Sequence, residues 1–201
     1  SLAEKLDTTN QARKIEDERT LDEALEIHER NYDLDHDRGI VLACDGWHPG
    51  VIGIVATRLV ERTQRPVLMI ALDGERGRGS GRSIPGFNLF EALEECSEHL
   101  LRFGGHKQAA GMDVAREALP ALRQAFNSAA SKRFGTDKLH SELLMDSELS
   151  LASVNLQLVN WLNYLGPHGI GNPCPSFLVR GVRFQQAKIV GSNHIKGTLI
   201  G

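Results

Sequence analysis

Ile40-Val41-Leu42-Ala43-Cys44-Asp45-Gly46-Trp47-His48-Pro49-Gly50-Val51-Ile52-Gly53-Ile54-Val55-Ala56 is the stretch on which the fold turns. Its first five residues form an apolar run too short for a helix, and Gly46 and Pro49-Gly50 interrupt the chain directly after it. Apolar residues then recur at Val51, Val55 and Leu59, the spacing of one helix face, as far as Arg62. A second short apolar run, Pro66 to Leu72, follows. Strand, helix and strand in that order make a β-α-β unit, and apolar runs without alternation suit strands buried on both faces of a largely parallel sheet.

Upstream, residues 1 to about 30 contain neither Gly nor Pro and pair apolar residues four apart at Leu2/Leu6 and Leu21/Leu25. They read as one long helix with a thin apolar stripe, which suits a bridge between domains better than a core. A chain that opens inside such a helix is expected to be part of a longer protein. Downstream of the glycine-rich segment Gly74 to Gly86, Asn88 caps a helix expected to reach about Arg102, with Glu91 three residues beyond the cap. Ala109 to Val114 reads as a strand and Glu117 to Phe134 as a helix with Pro120 tolerated in its first turn. Gly135-Thr136-Asp137 reads as a boundary. After it come a strand near Leu143 to Leu149, a helix near Ser153 to Tyr164, and a rigid turn-rich connector from Leu165 to Pro175. Phe177 to Phe184, Ala187 to Val190 and Thr198 to Ile200 read as strands of a last domain that is cut short.

The 201 residues allow one sizeable domain or two small ones. No signal-peptide core opens the chain and no run of apolar residues is long enough to span a bilayer, so no membrane association is expected and the setting reads as cytoplasmic. Cys44, Cys96 and Cys174 are odd in number and far apart, which argues for reduced thiols. The net charge of −3 conceals an asymmetry, because residues 1 to 38 hold 12 acidic and 6 basic side chains and leave the remainder mildly positive. Where the arginines cluster matters more than that sum.

Two segments carry candidate chemistry. Arg76-Gly77-Arg78-Gly79-Ser80-Gly81-Arg82-Ser83 has the composition of an oxyanion cradle, in which glycines expose main-chain amides while serines and arginines reach phosphate oxygens. The competing reading is a solvated arginine-rich hairpin. Phe103-Gly104-Gly105-His106-Lys107-Gln108-Ala109-Ala110-Gly111 joins a flexible turn, an ionisable ring and a surface poor in side chains, against which a large ligand could lie. It also reads as a Gly-Gly helix stop followed by a packed strand. Trp47 and His48 follow the first strand, where the former could stack on a base or plug the sheet edge and the latter could bond a phosphate. Asp35-His36-Asp37 and the trio Cys96, His99 and His106 contain metal-ligand types, but the first lies in an acidic run and the second lacks a fourth ligand.

These motifs together resemble the RecJ family of single-strand-specific exonucleases within the DHH phosphoesterase superfamily. The resemblance rests on Gly46 to Ala56, on Gly79-Ser80-Gly81-Arg82-Ser83 continuing to Asn88, on Gly104-Gly105-His106 through Gly111, and on Gly169-Ile170-Gly171-Asn172-Pro173-Cys174-Pro175. His168 departs from the phenylalanine usual in that family. The resemblance implies an α/β fold in three parts. Residues 1–38 would be an interdomain linker helix, 39–134 a mixed-sheet DHH-associated domain that binds nucleic acid, and 135–201 an incomplete OB-type β domain with its connector helix. It implies part of a 5′ to 3′ exonuclease of single-stranded DNA, acting in repair and recombination, whose manganese or magnesium sits in a catalytic domain absent here. No catalytic residue, metal or cofactor is then expected in this chain, which alone would be inactive. Ser80, Arg82, Ser83, Gly104, Gly105, His106, Trp47 and His48 become candidate phosphate or nucleic-acid contacts. The partners implied are single-stranded DNA with a 5′ phosphate and repair proteins. The alternatives are a phosphoesterase of the same superfamily for short oligonucleotides or cyclic dinucleotides, and a stand-alone nucleic-acid-binding module.

Overall fold

The computed structural model describes residues 1–135, 143–169, 171–191 and 194–201. The chain divides into two compact units, 1–141 and 142–201. Thr136 and Asp137 of the expected boundary and Ile170 of the connector lie outside the described residues.

The first unit runs α1 (Leu2–Asn31), β1 (Ile40–Asp45), α2 (Ile52–Thr63), β2 (Val67–Asp73), β3 (Arg76–Arg82), α3 (Leu89–Glu95), β4 (Arg102–Gly105), β5 (Ala109–Ala115) and α4 (Leu119–Phe134). One mixed sheet carries the strands in the order β1-β2-β3-β5-β4. The expected parallel character extends only to the β1–β2 pair, and every other pairing is antiparallel. Gly74-Glu75 joins β2 to β3 and His106 to Gln108 joins β4 to β5, both too short for the crossover that a parallel pair needs.

Helices cover both faces. Leu89 and Leu93 of α3 and Leu122 and Phe126 of α4 pack with Val41, Leu68, Ile70, Met112 and Val114 on one side. Ile52, Val55 and Leu59 of α2, with Leu21 and Ala24 of α1, pack with Ile40, Leu42, Val67 and Met69 on the other. Each fully buried aliphatic side chain contributes roughly 1.5–3 kcal/mol.

Two local expectations are corrected. The glycine-rich segment is neither an open cradle nor a solvated hairpin, because Arg76–Arg82 is the middle strand of the sheet. A Cβ at Gly77 would stand 2.4 Å from Ile70 Cγ2, one at Gly79 2.8 Å from Met112 Cγ, and one at Gly81 2.8 Å from Leu68 Cδ2. The three glycines therefore let the core close on the strand's main chain. The helix capped by Asn88 also ends earlier than expected, at Glu95, and a single 3-10 turn leads to β4. The asparagine side chain does accept from the Glu91 amide, at 3.4 Å.

The N-terminal half of α1 is exposed, and Thr20, Leu21, Ala24 and His28 are its buried positions. Polar contacts add to this narrow stripe. Arg19 donates to Glu16 at 2.5 Å, to Glu23 at 2.6 Å and to the Gly46 carbonyl at 3.2 Å. The other Glu23 oxygen accepts from the Trp47 indole at 2.9 Å. Arg58 of α2 donates to Asp17 at 3.2 Å. The hydrogen bond from Arg19 holds the Glu16 carboxyl below the usual carboxylate range.

In the second unit, β6 (Ser147–Glu148) pairs in parallel with β7 (Phe177–Leu178), and α5 (Leu156–Asn163) starts at Asn155, whose side chain accepts from the Leu158 amide at 3.0 Å. The strand expected over Leu143 to Leu149 is thus only two residues long. The connector is braced by Asn172, which donates to the carbonyls of Leu165 at 2.8 Å and Pro167 at 3.0 Å. β8 (Arg183–Val190) and β9 (His194–Ile200) form an antiparallel hairpin. The expected strand Phe177 to Phe184 is divided: Phe177–Leu178 forms β7, while Arg183 and Phe184 join the expected strand Ala187 to Val190 in β8, which bulges between Gln185 and Lys188 where Gln186 adopts φ 53°.

This packing makes the central glycines unequal. Gly77→Ala should destabilise the first unit by about 1–3 kcal/mol through overpacking, while Gly104→Ala, whose added Cβ meets no atom within 4 Å, should stay within about 0.5 kcal/mol of the parent in denaturant titrations. Because the Glu16 carboxyl is depressed in the folded chain, its pairing stabilises above the ordinary carboxylate pKa and is lost as pH falls through the lowered value. Arg19→Gln should consequently lower Tm at neutral pH, and the gap to the parent should narrow as the thermal scans move into acid.

Candidate nucleic-acid interface

Alternation gives β3 two different faces. Gly77, Gly79 and Gly81 turn toward the α3/α4 core, while Arg76, Arg78, Ser80 and Arg82 turn the other way. Along the ladder Arg82 lies opposite Ala109, Ser80 opposite Gly111 and Arg78 opposite Asp113. On β4, Gly104 lies opposite Gly111 and Arg102 opposite Asp113. The β3–β5–β4 surface thus carries polar side chains along β3 and at Asp113 and Arg102, with a floor of Gly104, Gly111 and Ala109 between them. A Cβ at Gly111 would find only the Gly79 oxygen, at 3.9 Å.

Ser80 and Arg82 form a half-buried pair in which the guanidinium donates to Ser80 Oγ at 3.0 Å and to the Gly81 carbonyl at 2.8 Å. The first turn of α2 comes close to them. A Cβ on Gly53 would stand 2.9 Å from Arg82 Nη2 and 3.0 Å from Ser80 Oγ, so glycine at this position leaves the pair its space. The amino end of α2 adds the partial positive charge of the helix dipole. At the same end of the sheet the Ser83 amide donates to the Gln108 carbonyl at 3.0 Å and so brings the end of β3 beside the β4–β5 turn. His106 opens that turn, exposed, with its amide bonded to the Ala109 carbonyl at 2.8 Å. Gly105 precedes it at φ 150°, where a Cβ would lie 2.5 Å from Ala109 O and Ala110 Cα.

Other candidates are placed differently. Main-chain amides of the 76–82 segment are committed to ladders with β2 and β5, so the expected amide cradle is replaced by a row of side chains. Ser83 is buried and its hydroxyl donates to the Phe87 carbonyl at 2.8 Å, which leaves no proton for a phosphate. Trp47 is 3% exposed, with its indole N–H on Glu23, so its ring offers no face to a base. His48 is exposed, and the Gly50 amide donates to its Nδ1 at 2.9 Å, which leaves Nε2 as the proton-bearing nitrogen of the neutral ring. Cys96 is fully enclosed by the core, and burial pushes its thiol up to about 11. Among the described residues no three His, Cys, Asp or Glu side chains gather as metal ligands, and no helix is long and apolar enough to cross a membrane.

His48 instead lines a groove of about 1130 Å³ with Arg19, Arg76, Arg78, Arg102 and Asp113. A smaller hollow continues it over Gly104 and Gly111 and shares Arg78 and Arg102 with it. Gly53 and Arg102 are not among the candidate contacts named from the sequence, and Arg76 and Arg78 belong to the cradle segment without being singled out as contacts. Reading 76–82 as a strand would have placed Arg76 and Arg78 on the face of Ser80 and Arg82, whereas Arg102 is brought in only by the pairing of β4.

Comparison with known proteins bears on the whole chain. Residues 36–132 match the DHHA1 domain model and 145–201 the RecJ OB domain model. The single-stranded-DNA-specific exonuclease RecJ of Bacillus subtilis is 38% identical over 98% of this chain and that of Escherichia coli 34% over 97%. The chain spans 25% and 35% of the length of these two relatives. The crystal structure of RecJ from Thermus thermophilus in complex with Mg2+ superposes with a TM-score of 0.82 at 32% identity, over 98% of this chain and 30% of that one. A second crystal structure of the Thermus protein, in complex with Mn2+, matches equally well. With a DHHA1 domain followed by a RecJ OB domain, the chain belongs to the RecJ family.

Proposed function

We propose that this chain is the substrate-holding part of a 5′ to 3′ exonuclease of single-stranded DNA that works in DNA repair and recombination. The observation that carries the reading is the Ser80–Arg82 pair beside Gly53 and the amino end of α2, at one end of a side-chain-poor sheet face. A guanidinium and a hydroxyl so placed suit a terminal 5′ phosphate, since a charge-assisted fork matches its oxygens. His106, exposed at the same end of the sheet, is proposed to contact the first nucleotide, and Gly104 and Gly105 to let the strand approach the main chain. His48 is proposed to meet the backbone in the adjoining groove. Residues 1–38 are read as an interdomain linker, 39–134 as the nucleic-acid-binding domain, and 135–201 as an OB-type extension of the single-strand track.

The described residues do not fit a divalent metal, and no step of bond cleavage is assigned to this chain. Manganese or magnesium is proposed to be held elsewhere in the whole enzyme, in line with the Mg2+ and Mn2+ complexes of the Thermus protein. In that enzyme the role of these residues is to fix the 5′ end, so that the bond to be cut is presented in one geometry. Repair proteins are the proposed partners, and a cytoplasmic setting fits the three free cysteines.

Titration of a 5′-phosphorylated oligonucleotide at low salt tests the reading. Arg82→Ala should weaken binding by at least about 1 kcal/mol, and removal of the 5′ phosphate should reduce the loss. Gly53→Ala should weaken binding in the same direction while the fold persists, because its Cβ displaces the ends of two flexible side chains. Unchanged affinity in Arg82→Ala would remove the 5′ phosphate from this site, and manganese-dependent cleavage by the purified chain would overturn its purely holding role.

A further inference from the structure

Arg76 and Arg78 stand exposed on one face of β3, about 7 Å apart along the strand. Neither guanidinium has a hydrogen-bond or ion-pair partner among the described residues. Across the ladder from Arg78 stands Asp113, whose carboxylate is taken by Arg102 Nε at 2.5 Å. The Arg102 side chain is nonetheless 74% exposed, so the outer nitrogens of its fork remain open to solvent. Arg78 and Arg102 thus flank one carboxylate, with Arg76 one row farther along the same face. Like charges this close on a sheet disfavour folding, and nothing in the core needs them, since the buried face of the same strand is glycine.

Arg78 is the neighbour of Ser80 on this face of β3, and the bare positions Gly111 and Gly104, in the row of Ser80, lie between Arg102 and the end of the sheet that carries Arg82. Arg78 lies four residues from Arg82, or about 13 Å along an extended strand, a spacing that suits a ligand with more than one phosphate. Of the acids near the groove, Glu16 is held by Arg19 and Asp113 by Arg102, while Asp73 stands opposite Arg76 across the β2–β3 ladder and Glu75 lies in the turn between those strands. The stretch of β3 free of an opposing, unheld acid therefore runs from Arg82 to Arg78, and Asp73 offsets the charge at Arg76.

We propose that Arg78 and Arg102 form a second phosphate subsite, which takes an internal phosphodiester of a single strand whose 5′ phosphate is at Ser80 and Arg82. This rests on the reading of Ser80 and Arg82 above. The strand lies lengthwise over Gly104 and Gly111, with its backbone toward the sheet and its first nucleotide toward His106.

The test compares a 5′-phosphorylated thymidine hexanucleotide with thymidine 5′-monophosphate by NMR shift titration of the whole chain, a readout that follows weak binding. The Arg78→Ala/Arg102→Ala double variant should bind the hexanucleotide about tenfold more weakly, and its log affinity against log salt should flatten by about 0.7 for each phosphate that is no longer neutralised. The monophosphate should bind as in the parent, and Arg78→Lys should retain most of the hexanucleotide affinity. Equal hexanucleotide affinity and salt slope in the double variant, with Arg82→Ala still weakening both ligands, would overturn the subsite and leave the 5′-phosphate reading standing. An equal loss for both ligands would also overturn it, by showing a diffuse field in place of a second subsite. If Arg82→Ala changes neither ligand, the underlying reading fails instead.

Discussion

Contact between the α3/α4 core and the bare main chain of β3 is the constraint on which the rest of this molecule depends. Gly77, Gly79 and Gly81 admit Ile70, Met112 and Leu68 at distances where any Cβ would collide. Because side chains alternate along a strand, this demand also places Arg76, Arg78, Ser80 and Arg82 together on the opposite face. A slip of one residue would drive arginines into the core and leave glycines outside, so packing on one side sets the register of the proposed binding surface on the other.

Arginines in the first unit serve two purposes that their partners distinguish. Arg19, Arg58 and Arg133 each close on a carboxylate from another turn or element, and Arg116 pairs with Asp45 of β1. These pairs tie helices and strand ends together, and the hydrogen bonds that Asp45 and Glu95 receive hold both carboxyls below the usual range. Among the described residues Arg82 bonds only to its own strand, and Arg76 and Arg78 project from β3 without partners. Guanidiniums kept free of carboxylates on a face otherwise floored by glycine and alanine give that face the positive potential that the proposed phosphate contacts require.

Much of the first unit was legible from local pattern. The apolar runs at Ile40 and Val67, the four-residue spacing from Val51 to Leu59, the cap at Asn88 and the proline in the first turn of α4 each report a structure decided within a few residues. The candidate site was legible only in part. Ser80, Arg82 and His106 share one end of the sheet, but Ser83 and Trp47, whose chemistry suits a nucleotide, are taken by the Phe87 carbonyl and by Glu23. Burial of a Trp or Ser depends on what packs over it, and here α1, the strand ends and the Ile84–Phe87 turn do so.

From the sequence alone came the order of elements, the long first helix and the motifs that mark the family, because each depends on residues that are neighbours in the chain. Tertiary structure decided that a segment of alternating glycine is a central strand, since weak strand formers hold there only through pairing with β2 and β5. It also decided that Arg102 stands beside Arg78 and that Gly53 makes room for Ser80 and Arg82. These meetings cross from strand to strand and from helix to sheet, and no local period encodes a contact made between elements far apart in the chain.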